Sequence, residues 1–171
     1  DNIVAWYRNL DGLGTFGPSH VISSTLAGAS SVVAADIDAD GHIDLVSSSF
    51  SGSTIVWYKN TDGLGDFGPQ RVICTTASGV VSIIVVDVDG DSDLDVVGAL
   101  SLDNATTWYE NTDGHGSFTV SHLVATDVQD IASVAAGDLD ADGDLDVVVA
   151  SSSLAWYSQL SRDTLHRYPE Q

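Results

Sequence analysis

A nine-residue acidic segment, met three times at one fixed spacing, constrains this chain more than any other feature. It reads Asp36-Ile-Asp38-Ala-Asp40-Gly41-His42-Ile-Asp44, then Asp87-Val-Asp89-Gly90-Asp91-Ser92-Asp93-Leu-Asp95, then Asp138-Leu-Asp140-Ala-Asp142-Gly143-Asp144-Leu-Asp146. The starts at 36, 87 and 138 lie 51 residues apart each time. Carboxylates at every second position repel one another unless a cation sits among them. Oxygens at the first, third, fifth and ninth places suit a hard cation such as calcium, which takes roughly six to eight of them. The peptide carbonyl at the seventh place, on His42, Asp93 or Asp144, adds one more. Magnesium fits less well, because a small octahedral ion that keeps its waters has no use for so many crowded carboxylates.

The period extends well past the acidic segment. Trp6-Tyr7-Arg8-Asn9 returns as Trp57-Tyr58-Lys59-Asn60 and as Trp108-Tyr109-Glu110-Asn111. Each is followed by an Asp-Gly turn that begins at Asp11, Asp62 or Asp113 and ends at Phe16, Phe67 or Phe118. A short apolar run follows, then a longer one that enters the acidic segment, then another that leaves it. A repeat of this length has to be read before any single residue. Its four short segments per repeat, rich in Val, Ile, Trp and Tyr and bounded by Gly, Asp, Asn and Ser, predict β-strands joined by tight turns. No helical period runs for more than about two turns, so no helix is expected. The fold class is therefore all-β, and four antiparallel strands per 51-residue repeat match the blade of a β-propeller. A fourth Trp156-Tyr157 comes 48 residues after Trp108 and lacks the Asp-Gly turn. This places repeats over residues 1–160, ending in a degenerate remnant, and a C-terminal tail over 161–171 that is either an atypical end unit or frayed.

The combination V-x-x-x-D-x-D-x-D-G-x-x-D-L-V with W-Y-x-N-x-D-G-x-G-x-F resembles the FG-GAP/VCBS repeat family, whose best-known relatives are the calcium-bearing blades of integrin α-chain propellers. The resemblance covers residues 1 to about 157. It implies structural calcium at about three sites. The ligands it implies are Asp36, Asp38, Asp40 and Asp44; Asp87, Asp89, Asp91 and Asp95; and Asp138, Asp140, Asp142 and Asp146, with the carbonyls of His42, Asp93 and Asp144. It also implies an extracellular, secreted or luminal setting. The second segment departs from the pattern, with Gly90 at the fourth place and Ser92 at the sixth. A serine tolerates positive φ less well than glycine, so the second loop is expected to bind more weakly. Three repeats and a remnant fall short of the roughly four to eight blades that close a propeller. The chain is thus expected to be a fragment, part of a larger or homo-oligomeric propeller, or an open array. It begins at Asp1 without methionine, which reads as a processed product or a piece of something longer.

The charge bounds the partners. Acids outnumber bases 25 to 5, for a formal net charge of −20, and the three loops hold 14 of the acids. Such a surface repels nucleic acid and anionic lipid. No apolar run is long enough to enter a membrane as a spanning helix. A disordered acidic tail is excluded because the acids are interleaved with Val, Ile, Leu and Trp. Cys74, the only cysteine, has Ser23 and Ala125 as repeat equivalents and reads as a small buried residue.

The remaining motifs divide between packing and binding. The Trp-Tyr pairs read as core between blades, with a stacking platform for sugar rings as the alternative. The five histidines do not form a cluster: His20 and His122 are equivalent, but Arg71 stands between them. No base or nucleophile recurs beside the loops, so the chain is read as no enzyme. Asn104-Ala105-Thr106 is a glycosylation sequon. The function expected is a non-catalytic calcium-binding module for adhesion, recognition or assembly with other proteins. The alternative is a carbohydrate-binding, lectin-like propeller, and a third is an accessory domain of a secreted enzyme.

Overall fold

The computed structural model describes residues 2–152, 155–161 and 164–168, with side chains through 152. Among these residues every regular element is a strand. β1 (Val4–Asn9) and β2 (Phe16–Ser23) form a two-stranded sheet. β3 (Ala29–Ala35), β4 (Asp44–Ser49), β5 (Thr54–Tyr58) and β6 (Arg71–Cys74) form a complete four-stranded sheet. So do β7 (Val80–Val86), β8 (Asp95–Leu100), β9 (Ala105–Asn111) and β10 (Phe118–Ala125). The third complete sheet is β11 (Ser133–Gly137), β12 (Asp146–Ala150), β13 (Ala155–Ser161) and β14 (Thr164–Tyr168). All pairings are antiparallel between sequence neighbours. These are propeller-like blades, and the sheet set is not closed.

The blades start half a repeat later than the Trp-Tyr motif. Each acidic segment is the turn between the first and second strands of a sheet, and the Trp-Tyr strand is the third. The first Trp-Tyr element therefore belongs to a sheet with only two strands, and the fourth one completes a full sheet. Thr164–Tyr168, in the segment set apart as a tail, is the fourth strand of that sheet. The three-residue shortening is absorbed in the β12–β13 turn. Val46 pairs with Trp57 and Val97 with Trp108, each eleven residues on, while Val148 pairs with Trp156 after eight. The tryptophan thus keeps the same cross-strand partner.

The sheets pack face to face, and their innermost strands lie side by side. Ser31 Oγ accepts from Ile83 N across one interface and Ser82 Oγ accepts from Val134 N across the next, both at 3.4 Å. Between β3–β6 and β7–β10 the core contains Val46, Ile55, Trp57, Val80, Val96 and Tyr109. Between β7–β10 and β11–β14 it contains Val97, Trp108, Val124, Val134 and Val147. Neighbouring residues of a strand point to opposite faces, so Trp57 enters one interface while Tyr58 enters the other, against Val4 and Leu26. The packing reading of these pairs holds for both buried copies. Cys74 is half-buried rather than buried, because β6 is an outer strand with part of its surface in solvent.

The Asp-Gly turns tie one sheet to the sheet before it. A Cβ at Gly116 would lie 2.4 Å from Trp57 Cζ2, and a Cβ at Gly65 would lie 2.4 Å from Trp6 Cζ2. Both glycines have φ near +100° or just below, at 102° for Gly65 and 88° for Gly116. Glycine is required twice over at this place, for its backbone and for the ring it lets approach.

Candidate metal centres

Each acidic segment is folded on itself by its own amides. Asp36 accepts from Asp40 N at 3.1 Å and from Gly41 N at 2.8 Å. Asp138 accepts from Asp142 N and Gly143 N, both at 3.2 Å. Asp87 accepts from Gly90 N at 2.8 Å and from Ser92 N at 3.0 Å. The fifth-place carboxylate accepts from the seventh-place amide in every loop: His42 N to Asp40 and Asp93 N to Asp91 at 2.9 Å, and Asp144 N to Asp142 at 3.0 Å.

Turning this tightly takes two left-handed residues per loop. They are Ala39 (φ 55°) and Gly41 (86°), Gly90 (75°) and Ser92 (79°), and Ala141 (62°) and Gly143 (95°). Ser92 does take the strained conformation expected of it. The fourth place is left-handed as well, however, and there the first and third loops place alanine where the second has glycine. Each loop carries one non-glycine residue at positive φ, so backbone strain does not single out the second loop.

The ninth carboxylate is buried, and in the first two loops it pins the loop to the third strand. Asp44 accepts from Ile37 N at 3.2 Å and from Asn60 N at 2.7 Å. Asp95 accepts from Val88 N at 3.1 Å and from Asn111 N at 2.8 Å, and Asp146 accepts from Leu139 N at 2.8 Å. Burial pushes the Asp95 carboxyl up to about 6, against the pull of those two amides, and raises Asp44 in the same way. Asn60 and Asn111 recur with the period, yet no role for them was legible in sequence. Asn60 Nδ2 donates to Ile43 O at 3.1 Å. Asn111 Nδ2 donates to Leu94 O at 3.3 Å and, across the interface, to Ile37 O at 3.0 Å. His115 Nδ1 also crosses it, lying 3.3 Å from Asp38 O.

Three carboxylate groups converge to within 4.8 Å: Asp36, Asp38 and Asp40; Asp87, Asp89 and Asp95; and Asp138, Asp140 and Asp146. Asp44, Asp91 and Asp142 stand outside these groups, as do the side chains of His42, Asp93 and Asp144. Each cluster could hold a metal ion, and the all-oxygen donor set suits a hard one. Two observations support the fit. Asp38 Oδ1 is buried with no hydrogen-bond partner. Asp89 and Asp140 are held above the ordinary carboxylate range, Asp89 by burial and then by Asp91, Asp140 by desolvation and then by Asp142. These groups lack the positive charge they would welcome. Sequence reasoning also passed over Lys59. Its Nζ contacts Asp38 Oδ2 and lies 2.8 Å from Asp40 Oδ2.

A profile described as FG-GAP-like repeat matches residues 1–47, 36–98 and 87–149. The chain belongs to the FG-GAP-like repeat family. The second and third matches each run from one acidic loop through the next, so the FG-GAP period and the structural spacing of the loops coincide. No curated protein matches the chain significantly.

Among the described side chains, the tryptophans of these FG-GAP repeats are engaged by the fold itself. Trp6 stacks on His20 with ring centroids 4.6 Å apart, and Trp108 stacks on His122 at 4.2 Å. The Arg71 guanidinium sits over Trp57 at 4.7 Å. This explains how Arg can stand between two histidines at equivalent places: each is a flat group laid on the cross-strand tryptophan. Gly65 and Gly116 are pressed against two of the same rings; Trp57 is fully buried and offers no surface for a sugar, whereas Trp6 is half-buried. Asn104 lies exposed in the β8–β9 turn at φ 50°, accessible for the modification its sequon would permit.

Proposed function

We propose that the chain is a calcium-stabilised, non-catalytic repeat module that works outside the cell or in a lumen and assembles with other proteins or with further blades. One observation carries the reading: three loops of one backbone design each gather three carboxylates within 4.8 Å, with the buried ninth carboxylate joining the cluster in the second and third loops and standing just outside it in the first. Calcium would be held by Asp36, Asp38 and Asp40, by Asp87, Asp89 and Asp95, and by Asp138, Asp140 and Asp146. Bound there, it supplies positive charge that lets these acids stay ionised side by side. Three divalent ions would bring the formal net charge of −20 to about −14. Millimolar calcium outside cells fills sites of modest affinity. The non-catalytic reading is supported by the family, and by acids already engaged in folding their own loops. Among the described residues no helix is long and apolar enough to cross a membrane.

Calcium titration followed by thermal unfolding tests this. Each filled site adds about 2.7 kcal/mol when calcium stands at a hundred times its dissociation constant. A melting temperature that is the same in millimolar calcium and in excess chelator would sink the reading. Sedimentation velocity in the same two buffers tests the assembly: a calcium-dependent oligomer supports it, and a monomer in both removes self-assembly.

A further inference from the structure

The third-strand residue just after the Trp-Tyr pair changes sign between blades. It is Lys59 in the first complete sheet and Glu110 in the second, with Ser158 at the matching place in the third. In the first sheet the lysine reaches into the acidic loop. Its ammonium contacts Asp38 Oδ2 and stands 2.8 Å from Asp40 Oδ2, and its side chain is three-quarters buried. In the second sheet Glu110 turns away to His122, whose Nε2 lies 2.7 Å from Glu110 Oε2.

We propose that Lys59 is a built-in counter-cation of the first loop, so that this loop is ordered without metal and is the last of the three that calcium fills. The inference rests on the calcium reading above. A calcium ion entering the first loop has to displace an ammonium already bonded to two of its carboxylates. In the second and third loops nothing described stands in its way. Local charge points the same way. The first loop has four aspartates against one lysine, a net of −3, whereas the second and third have five aspartates each, a net of −5. The calcium affinity of oxygen sites is tuned by their count of ligand charges. Strain does not reverse the order, because each loop holds one non-glycine residue at positive φ. Lysine suits the task because its ammonium is a compact point charge on a flexible stem, able to leave when outcompeted. The lowered carboxyl of Asp40, held down first by its bond to Lys59, is consistent with this.

The test is calcium titration calorimetry on the full chain, as wild type, Lys59→Gln and Glu110→Lys. The wild type is expected to show two tighter sites and a third weaker by about tenfold, equivalent to roughly 1.4 kcal/mol. Lys59→Gln should bring the weak site level with the others. Glu110→Lys should turn one tight site weak. Three equal sites in the wild type, or a weak site unmoved by Lys59→Gln, overturns the proposal. A second readout needs no calcium. In chelator, amide exchange over residues 37–42 should be slower than over 88–93, and Lys59→Gln should erase the difference. If the wild type takes up no calcium, the calcium reading falls and the filling order with it. The exchange result then still decides whether Lys59 orders the loop; equal exchange in wild type and variant overturns that too.

Discussion

The two-stranded sheet at the start of the chain and the complete sheets that follow carry the same motif with opposite results. Tyr7 is 57% exposed, while its equivalents Tyr58 and Tyr109 are 2% and 5% exposed. On the neighbouring innermost strand, Val32 is 56% exposed, while Ile83 and Val134 are 3% and 4% exposed. The residue types are matched, so composition does not account for the contrast. What differs is whether another sheet lies against that face. Much of each blade's motif serves its neighbour: Gly116 receives Trp57, and Asn111 bonds to Ile37 of the preceding sheet.

The largest effect should separate the tyrosines. Tyr58→Ala removes a fully buried aromatic ring and should cost about 3–5 kcal/mol. Tyr7→Ala should stay within about 0.5 kcal/mol. Urea unfolding of the two variants measures this directly, and equal losses would mean that the face at Tyr7 is covered in solution.

The complete sheets also bear a cost that the edge sheet, which has no acidic loop, is spared. Burial raises the Asp95 carboxyl from 3.8 to about 6 in the folded chain. A raised carboxylate favours the protonated fold, so its contribution is present at low pH and lost as pH climbs from about 4 to 6. In chelator the protein should therefore be more stable at pH 5 than at pH 7, by about 1.3 kcal/mol from this group, which is the part of its full swing of about 3 kcal/mol that lies above pH 5. Asp44 shifts in the same direction. In calcium the slope should reverse, because protons then compete with the ion. Asp95→Asn should flatten the chelated profile. A chelated profile that rises toward pH 7 would contradict the buried, ion-free carboxylate.

Gly116→Ala and Gly14→Ala share the penalty of positive φ, at 88° and 100°. Only at Gly116 would the new Cβ meet a tryptophan, while nothing lies within 4 Å of it at Gly14. Overpacking should make Gly116→Ala worse by about 1–3 kcal/mol. Trp57→Ala should shrink that excess when combined with it in a double-mutant cycle.

The strands and acidic loops, and the lack of helix among the described residues, were legible because a 51-residue period and a two-residue alternation are one-dimensional signals. The blade phase was not, since a period looks the same wherever it is cut; hydrogen bonding begins each sheet at the strand entering the acidic loop. Ala39 and Ala141 hid their left-handed backbone, because alanine does not advertise positive φ as Gly90 does. Lys59 and Glu110 sit at a position that varies between repeats, so the period does not mark it. Its meaning lies in a loop about twenty residues upstream that only strand pairing brings close. The three ninth-place aspartates read as metal ligands of one kind, whereas the fold also commits each to backbone amides.

The smallest difference tests the cross-sheet bond alone. Asn60 and Asn111 have the same place in their sheets and share three bonds: the amide donates to the ninth aspartate, Nδ2 to the carbonyl before it, and Oδ1 accepts from Gly65 N or Gly116 N. Asn111 alone adds the 3.0 Å bond to Ile37 O, because only its sheet is preceded by an acidic loop. Replacing each by alanine should cost more at Asn111 by about 1 kcal/mol, the net value of one hydrogen bond. Larger effects at Asn111 would mean that the first loop depends on the second sheet for its shape. In that case Asn111→Ala should also speed amide exchange over residues 37–42, although Lys59 and every carboxylate of that loop remain in place. Equal effects at the two positions would mean that the loops act independently, each held by its own sheet.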